Sequence, residues 1–257
     1  MVRVRDPYTA IQLDGLSKRF GTFQAVWPIT LRIPYGTVFG YLGTNGAGKT
    51  TTIRLMTGLL RPTTGCVRLC GWDLSADYIE ARRTFAYIPD QSYLYPKMTG
   101  REFLAFVFSV HFNRPPDARA IDGVIERVGL NGWGDELIEQ YSHGMRQRLL
   151  FASALLRDPP IWIIDEPIIG LDPKGVRHVK QWIREKARRG GTVFLSTHLL
   201  HIAQEICDRV GIIHRGRLIA VGTVDELLRQ VEVERPDLEE IFLRLTEETR
   251  MTGVAPH

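Results

Sequence analysis

Cysteine is scarce in this chain, with three among 257 residues, at Cys66, Cys70 and Cys207. An odd and sparse set excludes a disulfide framework and suits a reducing compartment. Cys66 and Cys70 fall in GCVRLCGWDL, which reads as one strand with both thiols on one side. No second Cys or His pair accompanies them, so they read as small apolar strand residues rather than zinc ligands. Long apolar runs are also missing. The longest, near Phe103–Val110, falls well short of the ~20 residues of a spanning helix, so no segment is expected to cross a membrane. The opening MVRVRDPYTA carries charge but no apolar core, so it does not read as a secretory signal. Internal repeats and low-complexity tracts are absent, and a charged fraction of 24% beside 44% hydrophobic residues excludes a disordered or fibrous chain. A large excess of one charge is lacking as well. Lys+Arg of 33 against Asp+Glu of 29 leaves +4, too little to argue for nucleic acid. The balance is uneven, because residues 223–257 hold nine acids and four bases, which leaves +9 on residues 1–222. A basic body favours phosphate ligands or an anionic surface, although a solvated basic face is the commoner case.

What is present is an alternation of apolar strands and helices. Residues 10–42 read as short strands with turns, ending in the apolar run Thr37–Leu42 and a glycine loop. Thr50–Leu60 reads as a helix stopped near Gly58, and residues 65–75 and 84–88 as two strands. From Gly100 to Arg157 the pattern is helical, over Arg101–Phe112, Asp117–Val128 and Gly144–Arg157, until Asp158-Pro159-Pro160. Ile161–Ile164 and Thr192–Ser196 are apolar strands, with helices over Lys174–Arg189 and Leu199–Asp208. Arg215-Gly216 marks a hairpin between Val210–His214 and Arg217–Ala220, and the tail holds an amphipathic helix over Leu238–Leu245. This predicts an α/β fold: a phosphate-loop NTPase core with a mainly parallel sheet, an antiparallel β part near the N-terminus and an inserted helical subdomain. The expected division is a core of residues 1–89 and 158–225, a helical subdomain of 90–157 and a helical tail of 226–257.

Gly43-Thr44-Asn45-Gly46-Ala47-Gly48-Lys49-Thr50 matches G-x-x-x-x-G-K-[ST] in full, between an apolar strand and a helix. The glycines let the backbone curl so that successive N–H groups point at phosphate oxygens, and the helix start adds positive potential. Lys49 is expected to reach the β- and γ-phosphates and the Thr50 hydroxyl to bind Mg²⁺, with Thr51 as an extra phosphate contact. These residues, Gly43, Asn45, Gly46, Ala47, Gly48, Lys49, Thr50 and Thr51, form the candidate nucleotide loop. Ile161–Ile164 runs into Asp165-Glu166. A buried parallel strand presents its C-terminal end to the ligand crevice, so Asp165 is expected to hold Mg²⁺ and Glu166 to orient or deprotonate the attacking water. Ser142, where the helix ending at Arg157 begins, is an N-cap candidate, and a helix start with Ser and Gly suits an anion.

Together these residues resemble one family. Tyr141-Ser142-His143-Gly144-Met145 followed by Gln147-Arg148 looks like a variant of the signature of ATP-binding cassette (ABC) ATPases, usually LSGGQ followed by Gln-Arg. Gly170-Leu171-Asp172-Pro173 resembles that family's D-loop, and Ser196-Thr197-His198 its switch-histidine segment. All parts occur in the family's order over roughly residues 10–225. The resemblance implies a head-to-tail dimer enclosing two ATP molecules, with Ser142 and Gly144 facing the γ-phosphate held by a second subunit. It implies that His198 hydrogen-bonds the γ-phosphate, Asp172 crosses the dimer interface, Phe20 stacks on adenine and Val26 packs on the nucleotide. The other histidines, His111, His178, His201 and His214, have no such support and read as structural or surface. The sequence departs from the usual signature at Tyr141, His143 and Met145. It departs again after Tyr87-Ile88-Pro89, where the family has a Gln that touches Mg²⁺ and the attacking water. Here Asp90 holds that place and Gln91 follows, so both are candidates.

The aromatic segment Ser92–Phe112 reads mainly as core, with Phe103, Phe106 and Val110 at helical spacing. By resemblance it also forms a groove for a short helix of a membrane permease on a separate chain. Lys97–Phe103 and the Leu238–Phe242 tail look like ABC-2-type exporters. The expected function is therefore an ATPase subunit at the cytoplasmic face of the cell membrane. It would dimerise on ATP, with Mg²⁺, to drive that permease, with no nucleic-acid partner. The rival is a soluble, non-transport ABC ATPase; the long coiled-coil insert of DNA-repair members and the second cassette of ribosome-type members are both missing. A phosphotransferase would leave the signature and His198 unexplained.

Overall fold

The computed structural model describes residues 6–230 and 238–252. Strands β1 (Thr9–Phe20) and β2 (Phe23–Pro34) form one antiparallel hairpin of two 12-residue arms. The short strands expected here are joined, because β2 alternates through buried Val26, Ile29, Leu31 and Ile33 against an exposed opposite face. β3 (Val38–Leu42) is buried along its whole length and leads through the glycine loop into α1 (Lys49–Met56). β4 (Thr64–Leu69) and β5 (Trp72–Asp73) are a hairpin rather than one strand. Cys70 and Gly71 at its turn have φ of 49° and 78°. Two consecutive positive φ values reverse the chain, so Cys66 lies on β4 and Cys70 in the turn, not on one face of a single strand.

A short helix α2 (Tyr78–Arg83), not expected from the sequence, precedes β6 (Phe85–Ile88). The helical insertion follows: α3 (Gly100–Phe112), α4 (Ala118–Arg127), a 3-10 turn over Ile138–Gln140 and α5 (His143–Arg157). Side-chain caps explain the helix starts. Thr99 and Glu102 form a reciprocal capping box on α3, and Asp117 caps α4. Within α3 the buried residues are Phe103, Leu104 and Phe108, whereas Phe106 and Val110 are exposed. The expected stripe is thus rotated, because α4 and α5 cover only one side of a helix that is apolar nearly all round. Tyr93 and Tyr95 are exposed as well.

The chain then alternates β7 (Ile161–Asp165), α6 (Pro173–Arg188), β8 (Thr192–Thr197), α7 (Leu200–Ile206), and the hairpin β9 (Arg209–His214) and β10 (Arg217–Gly222). Helices α8 (Val224–Gln230) and α9 (Leu238–Thr252) close the described chain, while residues 231–237 and 253–257 of the expected tail lie outside it.

Two sheets result. One is antiparallel, in the order β2-β1-β4-β5; the other is six-stranded, in the order β10-β9-β3-β8-β7-β6. All neighbours in the second sheet are parallel except β10 and β9. Alternation along its strands builds two cores. Ile161, Ile163 and Phe194 face α1 and the antiparallel sheet, while Trp162, Ile164 and Leu195 face the helical insertion. The mainly parallel sheet, the separate antiparallel sheet and the inserted helices are therefore as the sequence predicts. Because the strands are parallel, the C-terminal ends of β3, β7 and β8 lie on one edge, with Leu42 beside Thr197 and Asp165 beside Ser196.

Candidate functional site

The glycine loop hangs from the end of β3 and is held from behind by β9 and β10. Gly216 N donates to Ala47 O at 2.8 Å, and Trp27 N donates to Gly216 O at 2.8 Å. The close approach needs glycine: a methyl group on Gly216 would stand 2.5 Å from Ala25 O, and one on Gly43 would stand 2.6 Å from Ile213 O. Gly48, the residue before α1, has φ of 109°, which no side chain would adopt without strain.

Lys49 is buried in the loop. Its Nζ donates to Gly43 O at 2.7 Å and Thr44 O at 3.3 Å, and pairs with Glu166 Oε1 at 3.2 Å. The same Oε1 lies 3.1 Å from His198 Nδ1. Glu166 itself has φ of 48°, and its backbone N–H donates to Ser196 O at 3.2 Å. Its second carboxylate oxygen, Oε2, is buried with no hydrogen-bond partner. A buried acceptor without a donor costs free energy unless a ligand or water fills the place.

Asp165 is buried at the end of β7 and accepts a hydrogen bond from Ser196 Oγ. Burial pushes its carboxyl above the usual range, while hydrogen bonds from Ser196 and the Thr50 hydroxyl pull the other way. Glu166 and Asp90 add like charge and raise it further. Thr50, Asp165 and Asp90 thus form an all-oxygen set beside the phosphate loop, the donor type that Mg²⁺ takes together with substrate phosphates. No group of three His, Cys, Asp or Glu that would hold a metal by itself occurs among the described residues.

A cavity of about 360 Å³ joins these parts. Thr44, Asn45, Gly46, Gly48, Lys49, Thr50 and Thr51 line one wall, and Asp90, Glu166 and His198 the other. Asp90 therefore reaches the cavity, whereas Gln91 is exposed and outside its lining. Gly43, Ala47 and Asp165 lie behind the lining, in the loop and the strand end that shape it. Phe20 and Val26 do not line it. Phe20 sits at the exposed hairpin tip with Lys18 Nζ 5.1 Å from its ring centre, and Val26 is fully buried in the core. Phe23 and Ala25 line the cavity instead, as does Ile169. None of these three was singled out from the sequence. The signal available was the alternation at the start of β2, where Phe23 and Ala25 fall on the cavity face and Val26 on the core face.

Ser142 and Asp172 act as helix caps. Ser142 Oγ accepts from Met145 N at 3.3 Å, and Asp172 Oδ1 accepts from Gly175 N at 2.9 Å. Within one chain neither these residues nor Gly144 lines the cavity.

Comparison with known proteins gives these features a context. The family model described as ABC transporter matches residues 26–169. The chain is 38% identical over 231 residues to the daunorubicin resistance ATP-binding protein DrrA3 of Streptomyces coeruleorubidus, which covers 90% of this chain and 73% of that one. It is 37% identical over 226 residues to the bacitracin transport ATP-binding protein BcrA of Bacillus licheniformis, covering 86% of this chain and 72% of that one. Among solved structures, an ATP binding subunit of an ABC transporter matches with a TM-score of 0.85 at 30% identity, over 93% of this chain and 100% of that chain. A dimeric post-hydrolysis ATP-binding cassette bound to ADP and Pi matches with a TM-score of 0.76 at 23% identity, over 83% of this chain and 98% of that one, and shares the fold. A phosphate loop held at the edge of such a sheet, matched to these relatives along most of its length, identifies the chain as a member of the ABC transporter family, an ATP-binding and ATP-hydrolysing subunit.

Proposed function

We propose that this chain hydrolyses ATP at the cavity between the glycine loop and the β7–β8 strand ends, with Glu166 as the general base. The observation that carries the reading is the position of Glu166. One oxygen is held by Lys49 and His198, while the other is buried and unpartnered beside the phosphate loop. An entering triphosphate draws Lys49 Nζ from the Gly43 and Thr44 carbonyls and from Glu166 to its own oxygens. Glu166 is then free to orient water and take its proton, and His198 turns to the γ-phosphate. Thr50, Asp165 and Asp90 would hold Mg²⁺, which would supply positive charge to offset the charge that develops on the phosphate. Asp90 takes this place in preference to Gln91 because it alone of the two lines the cavity. Phe20, or Phe23 three residues on, supplies the aromatic face for the base, and Val26 supports that strand from the core.

Ser142, Gly144 and Asp172 lie outside the cavity of their own chain, which supports a role across a dimer, on nucleotide held by a second copy. Residues 1–89 and 158–225 then act as the nucleotide core, 90–157 as the helical subdomain that moves over the partner's ATP, and 226–257 as an appended tail. The partner in transport is a membrane permease on another chain. A groove of about 610 Å³ between α2 and α3 supports this: Tyr78, Ile79, Phe106 and Val110 form its apolar side and Arg82, Arg83 and Arg157 its basic side. It fits an amphipathic helix with acidic residues on one edge. The protein then sits at the cytoplasmic face of the membrane, and its similarity to the daunorubicin resistance and bacitracin transport proteins points to export.

Two experiments test this. Glu166→Gln is expected to lower turnover at least about a hundredfold while ATP binding persists; retained turnover removes Glu166 from the role of base. Tagged Glu166→Gln protein with ATP, purified from detergent-solubilised membranes of its host, is expected to carry a polytopic membrane protein. A soluble dimer alone, or one bound to ribosomes, points instead to a non-transport ABC ATPase.

A further inference from the structure

The segment from Glu166 to Asp172 links the base to the cap of α6, and its midpoint is covered by a residue from the signature helix. Gly170 has φ of 74° and lies against the imidazole of His143, the first residue of α5. A methyl group on Gly170 would stand 2.9 Å from His143 Cδ2 and 3.2 Å from Nε2. Contacts that short do not occur between a real side chain and an unmoved ring, so the ring and the loop are in direct packing. The packing continues along the helix start. A methyl group on Gly144 would meet Leu171 Cδ2 at 3.5 Å, and Leu171 is packed against the core of the helical insertion. On the other side of Gly170, Ile169 lines the cavity beside Glu166 and His198.

His143 is also the place where this chain carries a ring in a signature that usually has glycine. A glycine there would leave Gly170 uncovered, since a hydrogen atom cannot span the space an imidazole fills. We propose that His143 is a positioning residue. Its ring is a strut between the N-terminus of α5 and the loop that follows Glu166, acting on catalysis through Ile169 and Glu166 of its own chain. When the helical subdomain moves over the partner's nucleotide, the strut carries that displacement to the chain's own base. This rests on Glu166 being the base and on closure in a dimer. The local contact on which the strut depends does not.

Two measurements on the full-length chain keep these apart. In nucleotide-free protein, His143→Gly is expected to speed amide hydrogen exchange at residues 168–171 while residues 145–157 keep their protection. Unchanged exchange at 168–171 overturns the strut, whatever the identity of the base. In steady-state turnover, His143→Gly is expected to lower kcat about tenfold with KM for ATP held within about twofold, because the loop after Glu166 loses its support. His143→Phe, which keeps a ring against Gly170, is expected to retain at least about half of the native kcat. A His143→Gly protein with native kcat, or a His143→Phe protein no faster than His143→Gly, overturns the proposal.

Discussion

Glu166 Oε1 lies 3.2 Å from Lys49 Nζ, so the lysine of the phosphate loop and the acid at the end of β7 neutralise one another across the cavity. Both side chains are nearly buried, at 7% and 9% exposure, so the pair is little screened by solvent. A phosphate must compete with this carboxylate for the lysine. Glu166→Gln removes the competitor, and ATP is expected to bind about three- to fivefold more tightly by calorimetry even as turnover is lost. Weaker ATP binding in that variant would count against the competition.

Asp165 poses the opposite bargain between stability and function. Its carboxyl is buried and raised by that burial, yet it accepts from Ser196 and Thr50. Asp165→Asn keeps an acceptor and removes the buried charge. Its thermal midpoint is expected to rise by about 2–4 °C, with Mg²⁺-dependent turnover down by about a hundredfold. A lower midpoint would mean that the ionised carboxylate is a net stabiliser of the fold.

The helical insertion rests on two separable features. Leu149 is fully buried on α5, and Leu149→Ala is expected to cost about 2–5 kcal/mol in urea unfolding through the cavity it leaves. Thr99 receives the N–H of Glu102 at 3.1 Å at the start of α3, and Thr99→Ala is expected to cost about 1 kcal/mol. Equal losses from the two substitutions would contradict this ranking of packing over capping.

His111 makes stability depend on pH. Burial first, then Arg157 and Arg83, hold its imidazole below the ordinary value of 6.5, and Arg157 Nε donates to its Nδ1 at 3.3 Å. Below that value the unfolded chain binds a proton that the folded chain refuses, so stability falls on acidification. His111 is partly exposed, so the effect is small: the thermal midpoint is expected to drop by about 1–2 °C more between pH 7 and pH 5 in the native protein than in His111→Gln. Parallel profiles for the two proteins would remove His111 as the cause.

The regular elements are legible in the sequence wherever pattern and punctuation agree. β7 and β8 are short apolar runs bounded by Pro159-Pro160 and by Gly190-Gly191, and α5 begins at Ser142 because that hydroxyl caps it. Pattern failed where one residue changed the chain direction. Cys70 looked like a strand residue, and only its left-handed backbone made β4 and β5 a hairpin. Phe106 and Val110 had the spacing of a buried stripe, but α4 and α5 chose the other face of α3. Helix α2 was too short for periodicity to register.

The sequence by itself determined the phosphate loop, the acidic end of β7 and the histidine after β8. In each case the residue type, a strand before it and a turn after it lie within one local segment. Only the tertiary structure decided that Asp90 and not Gln91 lines the cavity, that Phe23 and Ala25 line it while Phe20 and Val26 do not, and that His143 covers Gly170. These are contacts between segments far apart in the chain, set by strand order in a parallel sheet and by the register of one strand face. No local pattern encodes the distance between residues that meet only after the core has packed.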